Sequence, residues 1–336
     1  DDEFFSVLPS SVRIFAKTRQ NGQTLRGAPL EVRSARDYLL NNFSLDPCRH
    51  KASENKIRAS AKAESSKNRK NTETVISVRE AWFRYEKDSK DILCGMNFDV
   101  HAGELTCIVG GNGAGKTTAL LTAAGVFSPY RGKVKYRGKP ISTFRKDKGS
   151  AGKIGVLVQN PLCCFVMDSV AEELEATAKA YKLPRSGIEE VIDIMQLQSV
   201  LGSNPYDISG GELQRAAIAK LLLPEPEVIF LDEATKGMDA FFKAEFGALL
   251  RRLAARGTAI VLVSHDIEFC AEFADRCAMF FNGTVIAEGT PQDVFLGNSF
   301  YTTSACRISR GIIPDALTSE QIIDYANRCE RKKNDA

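Results

Sequence analysis

Gly110-Gly111-Asn112-Gly113-Ala114-Gly115-Lys116-Thr117 decides how the rest of this chain reads. The octet fits GxxxxGK[ST] and stands between a strand-like run, Glu104–Val109 (ELTCIV), and a helix-like run, Thr118–Ala124. Glycines let successive backbone N–H groups turn inward around a phosphate, and the helix N-terminus adds the positive end of its dipole. In that geometry the Lys116 amine reaches the β- and γ-phosphates of a nucleotide and the Thr117 hydroxyl ligates Mg²⁺, with Thr118 next to it in the cradle. The pattern should arise by accident in about one chain in a hundred of this length and composition.

Outward from the octet, short β-rich runs recur at Ile154–Val158 (IGVLV), Val228–Leu231 (VIFL) and Ala259–Val263 (AIVLV). Near-continuous apolar strands suit a sheet buried on both faces. Helical patterns such as Ser169–Tyr181 and Gly211–Leu223 lie between them. This alternation predicts an α/β fold with a mostly parallel sheet. Two pieces flank it as antiparallel candidates: Ile76–Tyr85, and Ala278–Glu288 with an Asn282-Gly283 turn.

Composition narrows the classes. Of 336 residues, 43% are apolar and 26% charged, an ordinary globular balance that excludes a wholly disordered or collagen-like chain. Lys+Arg 45 against Asp+Glu 42 leaves +3, which gives no global bias towards nucleic acid. No window nears the ~18 to 20 uninterrupted apolar residues of a membrane-spanning helix. The nine cysteines run from Cys48 to Cys329 without a C-x2-C pair or a Cys/His cluster, so neither a disulfide framework nor a zinc site is expected. They read as reduced thiols packed as small hydrophobes. Asp1-Asp2-Glu3 has the wrong charge for a signal peptide, and the absence of an initiator Met reads as a fragment of something longer.

Residues 48–74 contain no aromatic, eight basic and three acidic side chains, and a single large aliphatic residue. Such a stretch cannot bury enough surface to offset ordering entropy and is expected to be a flexible basic linker. Residues 1–47 echo the far end of the chain. FFSVLPSSVRIFAK…APLEVRSARDYL and VFLGNSFYTTSACRISRGIIPDALTSEQII share an aromatic-apolar start, an x-Arg-Ile step (Val12-Arg13-Ile14, Cys306-Arg307-Ile308), a Pro and an acidic helical segment. Either this is chance similarity of two amphipathic tails, or residues 1–47 are the tail of a preceding homologous module.

Two further motifs carry chemistry. The run Val228–Leu231 leads straight into Asp232-Glu233, which puts two carboxylates at the sheet's C-terminal edge, where α/β ligands bind. Asp232 there would hold Mg²⁺ through water, and Glu233 would orient and deprotonate an attacking water. Upstream, Ile208-Ser209-Gly210-Gly211-Glu212-Leu213-Gln214-Arg215 offers a second anion-binding helix N-terminus with Ser209 as N-cap.

This second octet resembles the signature motif of the ABC ATPases, and the other elements of that family stand in the same order between about Val75 and Phe295. The resemblance implies a P-loop NTPase of ABC type, with a mostly parallel core sheet, an antiparallel β subdomain and a helical subdomain at about 160–205. It implies ATP and Mg²⁺ as ligands. Tyr85 matches the aromatic that stacks on adenine. Gln159 matches the glutamine linking Mg²⁺ and water to a membrane partner, Lys236-Gly237-Met238-Asp239 the D-loop, and His265 the switch histidine that senses the γ-phosphate. The family dimerises head to tail, so ATP would lie between Lys116 of one module and Ser209, Gly210, Gly211 and Glu212 of a second.

A narrower resemblance is to the energy-coupling-factor ATPases, carried by LDEATKGMDA, HDIEFCAEFADRCAMFFNGTVIAEGTP and SRGIIPDALTSEQI. It implies an ATPase subunit on the cytoplasmic face of a membrane, paired with a transmembrane subunit and a small substrate-capture subunit for a vitamin or transition-metal ion. It also implies that residues 296–336 form a C-terminal extension, and no nucleic acid is expected as a partner. Ala234 stands where the ABC family usually has Pro, and Asn160-Pro161-Leu162-Cys163-Cys164-Phe165 is more apolar than the usual contact surface. The alternative is a soluble ABC ATPase acting on ribosomes or nucleic acid, supported by the basic stretch 48–74. A scaffold without turnover fits less well, because Glu233 and His265 are both present.

Overall fold

The computed structural model describes residues 8–19, 28–43, 73–298, 300–313 and 315–334; the expected linker lies outside them up to residue 72. The chain divides into two compact units. The larger comprises Glu73–Asp266 and Phe273–Glu288. It holds an antiparallel sheet of order β2-β1-β4-β5 and a six-stranded sheet of order β10-β9-β3-β8-β7-β6. The first is built from β1 (Thr74–Phe83), β2 (Leu93–His101), β4 (Arg131–Tyr136) and β5 (Lys139–Pro140). The second is built from β3 (Leu105–Gly110), β6 (Ile154–Leu157), β7 (Val228–Asp232), β8 (Ala259–Val263), β9 (Arg276–Phe281) and β10 (Thr284–Gly289).

Strands β3, β7 and β8 are buried at every position, as the unbroken apolar runs require. Two of them run one residue past their apolar letters, for a pairing reason. Gly110 still faces Phe280 across the β3–β9 ladder, and Asp232 still faces Val263 across β7–β8. The Ala278–Glu288 piece differs from its antiparallel expectation: β9 joins the parallel core beside β3, and only β10 turns back from it. Asn282 and Gly283, at φ +46° and +78°, make the two-residue turn between them.

One hydrophobic core joins the two sheets. Ile76, Val78, Met96, Phe98 and Val134 of the antiparallel sheet meet Ile108, Phe230 and Val261 of the parallel one. The helix Lys116–Ala123 belongs to the same core through Ala119, Leu120 and Ala123. Buried along most of its length, it has no need of a polar face. The helical subdomain comes after β6, with helices Val170–Tyr181 and Arg185–Ile194 before the long helix Gly210–Leu222. Ser169 caps the first through the N–H of Glu172.

The smaller unit draws on the described residues of Asp1–Thr72, Ile267–Glu272 and Gly289–Ala336. Its core interleaves the two ends of the chain: Ile14, Ala35, Leu39 and Phe43 pack with Ala305, Ile308, Ile313, Ile322 and Ala326. The helices are Ser10–Thr18 and Val32–Asn42 from one end, and Ser304–Ser309 and Ser319–Asn334 from the other. Arg13 pairs with Glu320, and the Arg36 guanidinium donates to the carbonyls of Ile308 and Arg310.

Phe230 has no exposed surface and sits where the two sheets share their core. Phe230→Ala is expected to cost about 3 to 5 kcal/mol, read as a lowered denaturation midpoint in urea.

Candidate functional site

Parallel pairing fixes where the site must be. The ladders set Leu157 beside Leu231, Leu231 beside Leu262, and Leu262 beside Cys107, so β6, β7, β8 and β3 finish in step. The groups just past the strand ends therefore converge on one edge: Gln159 after β6, Glu233 after β7, His265 after β8, and the phosphate loop after β3. A cavity of about 610 Å³ opens there, lined among others by Tyr85, Lys116, Thr117, Gln159, Glu233 and His265.

The loop is shaped by backbone conformation. Gly115, the N-cap of the helix Lys116–Ala123, has φ +98°, and a Cβ there would stand 2.9 Å from the Ile92 carbonyl oxygen. Only glycine meets both conditions. Lys116 is 7% exposed, and its amine donates to the carbonyls of Gly110 and Gly111, each at 2.9 Å. Burial lowers its pKa, while the charges of Glu233 and Asp232 act against that shift. The ammonium is thus folded back on its own loop, and an anion of higher charge in the cavity would be a better partner than two carbonyls.

Thr117 donates its hydroxyl proton to Asp232 Oδ2 at 2.7 Å. Asp232 is 1% exposed, and its pKa is raised by burial and by the neighbouring Glu233, against the Thr117 hydrogen bond and the positive charge of Lys116. This pair presents hard oxygen donors, a hydroxyl and a carboxylate, at the foot of the phosphate loop. Such a set suits a divalent cation that takes its remaining ligands from phosphate and water.

Glu233 stands in the left-handed region at φ +52°, and its N–H donates to the Val263 carbonyl at 2.9 Å, one step beyond the strand. The conformation is costly for a side chain of this kind and turns the carboxylate out of the sheet into the cavity. Both carboxylate oxygens are then engaged. Gln159 Nε2 donates to Oε2 at 3.2 Å, and His265 Nε2 lies 3.3 Å from Oε1. A carboxylate steered from two sides, in a cavity that also holds a phosphate loop, can accept a proton from water at a fixed point.

At the other end of the cavity, the Tyr85 hydroxyl meets Thr118 Oγ1 at 3.0 Å. Its ring packs edge-on against Phe83 and Phe127 and remains 60% exposed, leaving a face free for a planar group. Asn112, Gly113 and Thr118 also line the cavity. Gly110 and Gly111 contribute the carbonyls that hold Lys116, and Ala114 packs against the core.

Ser209, Gly210, Gly211 and Glu212 are not among the lining residues of this cavity. Ser209 caps the helix Gly210–Leu222 in a capping box: Glu212 accepts from the Ser209 N–H at 2.9 Å and from its hydroxyl at 2.6 Å. Those bonds lower the Glu212 pKa. Gly211 approaches the turn at Gly237 so closely that a Cβ would stand 3.0 Å from the Gly237 carbonyl. Two lining residues escape the sequence reading as site residues, Ile92 and Lys236. Ile92 comes from the turn before β2 and carries no motif. Lys236 lies three residues past Glu233, 4.0 Å from its carboxylate, and the sequence names it only as the first residue of the D-loop match, with no role at the nucleotide.

Comparison with known proteins agrees with this geometry. The family described as ABC transporter matches residues 93–236. A putative ABC transporter ATP-binding protein of Bacillus thuringiensis subsp. konkukian is 35% identical over 325 residues, which is 96% of this chain and 55% of that protein. The energy-coupling factor transporter ATP-binding protein EcfA of Methanocaldococcus jannaschii is 33% identical over 226 residues, 66% of this chain and 81% of EcfA. Among solved structures, cbiO1 of Clostridium perfringens, described as part of the ABC transporter complex cbiONQ, superposes with TM-score 0.58 at 30% identity, covering 66% of this chain and 90% of cbiO1. The chain spans about half the length of the first curated relatives it matches, at 55%, 46% and 46%. A phosphate loop, an Asp-Glu strand end and a Ser-Gly-Gly helix cap on this sheet, with relatives of this kind, place the chain in the ABC transporter family as an ABC-type ATP-binding protein.

Proposed function

We propose that this chain binds and hydrolyses ATP to power a membrane transporter. The observation that carries the reading is the Glu233 carboxylate, held by Gln159 and His265 beside a loop that offers Lys116. Tyr85 stacks on the base, the loop Gly110–Gly115 with Lys116 and Thr118 binds the phosphates, and Glu233 takes the proton of the attacking water. His265 contacts the γ-phosphate and fixes Glu233. Thr117 and Asp232 would hold Mg²⁺, with Gln159 reaching it through water, and the ion would neutralise phosphate charge when bound.

The remote position of Ser209–Glu212 supports a two-module site, in which this signature closes on the nucleotide of a second ABC module. The finer reading is an energy-coupling-factor importer for a vitamin or transition-metal ion, favoured by the likeness to EcfA and cbiO1. In it a transmembrane subunit docks near Gln159 and the helical subdomain, a small membrane subunit captures the substrate, and the chain sits peripherally on the cytoplasmic face. No helix among the described residues is long and apolar enough to cross a membrane.

Residues 1–47 are proposed as the tail of a preceding ATPase module, joined through the basic linker 48–74 to the ATPase domain 75–295 and its extension 296–336. The echo between the two chain ends extends into the packing. Ile14 and Ile308 both have no exposed surface and share one core. Asp37-Tyr38 comes after the buried Ala35 at the spacing with which Asp324-Tyr325 comes after the buried Ile322. The helix Ser10–Thr18 packs on Ser319–Asn334 as Ser304–Ser309 packs on Val32–Asn42, the reciprocal pattern of a two-fold pair.

A second reading, a soluble ABC ATPase acting on ribosomes or nucleic acid, draws on the linker and on the exposed Arg131, Lys133 and Lys135 alternating along β4. An affinity pull-down from native membranes in mild detergent, with mass spectrometry, separates the two. Recovery of a multi-span membrane protein supports transport, and recovery of ribosomal proteins overturns it. Lys116→Ala is expected to weaken ATP binding by about tenfold to a hundredfold. Glu233→Gln should retain ATP binding and lose about 10² to 10⁴ in turnover, measured by phosphate release. Equal loss of binding in both variants would remove the role given to Glu233.

A further inference from the structure

The chain turns back on itself after Glu233, and the turn is fixed on both sides. The Lys236 N–H donates to the Glu233 carbonyl at 3.0 Å and closes a four-residue span. Ala234, Thr235 and Met238 are buried beneath it, and Gly237 takes φ +78°. Asp239 then caps the helix Ala240–Ala255 by accepting the Phe242 N–H at 2.8 Å. Between the buried Thr235 and Met238, Lys236 projects outward. Its side chain is 73% exposed, it lines the cavity, and its ammonium stands 4.0 Å from Glu233 Oε2.

The two lysines that line the cavity are in different situations. Lys116 is buried, bonded to its own loop, and has Glu233 and Asp232 as its acidic neighbours. Counting carboxylates and ammonium groups, Lys116 alone would leave this end of the cavity with an excess negative charge. Such an excess repels the phosphate that has to approach Glu233. Lys236 brings the count level from the solvent side. It does so as a compact charge on a flexible stem, able to follow a phosphate oxygen without a preset geometry. Tyr85 lies at the opposite end of the cavity, so the charge of Lys236 is placed away from the group that receives the base.

We propose that Lys236 is a second binding residue for the terminal phosphate in its own module, and that it sets the preference of the site for a nucleoside triphosphate over the diphosphate. The inference rests on the ATP reading above, in which Glu233 faces the phosphate that ATP carries and ADP lacks. Lys116 reaches the β- and γ-phosphates and so serves both nucleotides. Lys236, held to the side of Glu233, meets only the last phosphate. Its ammonium there exchanges a carboxylate at the outer limit of an ion pair for an anion of higher charge.

Isothermal titration calorimetry of the full chain tests this, with Mg²⁺ and either ADP or a non-hydrolysable ATP analogue at one ionic strength. Lys236→Met should weaken binding of the analogue by about three- to tenfold and leave ADP within about twofold of the native value. Lys116→Ala should weaken both, so the ratio of the two affinities separates the lysines. Lys236→Arg keeps the charge and should restore the native ratio. Should Lys236→Met not fold, Lys236→Gln gives the same comparison. A merely structural role for Lys236 would move both nucleotides alike. Equal loss for ADP and the analogue, no loss for either, or failure of Lys236→Arg to restore the ratio overturns the proposal. A native chain that binds neither nucleotide overturns the ATP reading itself, and this inference with it.

Discussion

Parallel hydrogen-bonded register is the constraint on which the rest of the larger unit depends. Because β3, β8, β7 and β6 pair in one direction, their C-terminal ends fall at one edge of the sheet, and each delivers a different chemical group there. Each ladder step moves a residue by about 3.3 Å, so a slip of one position would carry Glu233 out of reach of Gln159 and His265 together. The apolar letters of the strands therefore fix more than a core. They set the spacing between a lysine, two carboxylates, an amide and an imidazole that are up to 149 positions apart in the chain, from Lys116 to His265.

Two kinds of buried charge illustrate how the protein uses this frame. Asp232 is enclosed with only a hydroxyl and distant cations, so burial lifts its pKa and a cation at the Thr117 side would be welcome. Glu173 is enclosed with a lysine and two amides, so its charge is already compensated. The first environment is incomplete in the way a binding site is incomplete. The second is saturated in the way a structural joint is saturated.

What could be read in the letters is what is decided locally. The phosphate loop, the Asp-Glu strand end and the Ser209 cap each depend on a few consecutive residues, and all three have the local form their motifs imply. The ends of β3, β6, β7 and β8 are legible to within a residue, since the neighbouring strand decides whether Gly110 or Asp232 still pairs, whereas β1 and β9 begin two residues earlier than the sequence suggests. Contacts made only by folding were not legible. Ile92 reaches the cavity from an unremarked turn, and nothing in the spacing of Glu173 and Lys220 announces that one donates a hydrogen bond to the other. The likeness between the two ends of the chain was visible as x-Arg-Ile, but not that both isoleucines would enter one core.

The left-handed backbone at Glu233 carries an evolutionary consequence. A residue with a Cβ gives up roughly 1 to 2 kcal/mol in that conformation, whereas glycine gives up little. Substitution there by glycine would relieve the fold while removing the carboxylate that faces the cavity. Selection for stability alone would thus favour losing this side chain, as at the other left-handed non-glycine positions. The glutamate this chain carries there exchanges backbone ease for a carboxylate in the cavity.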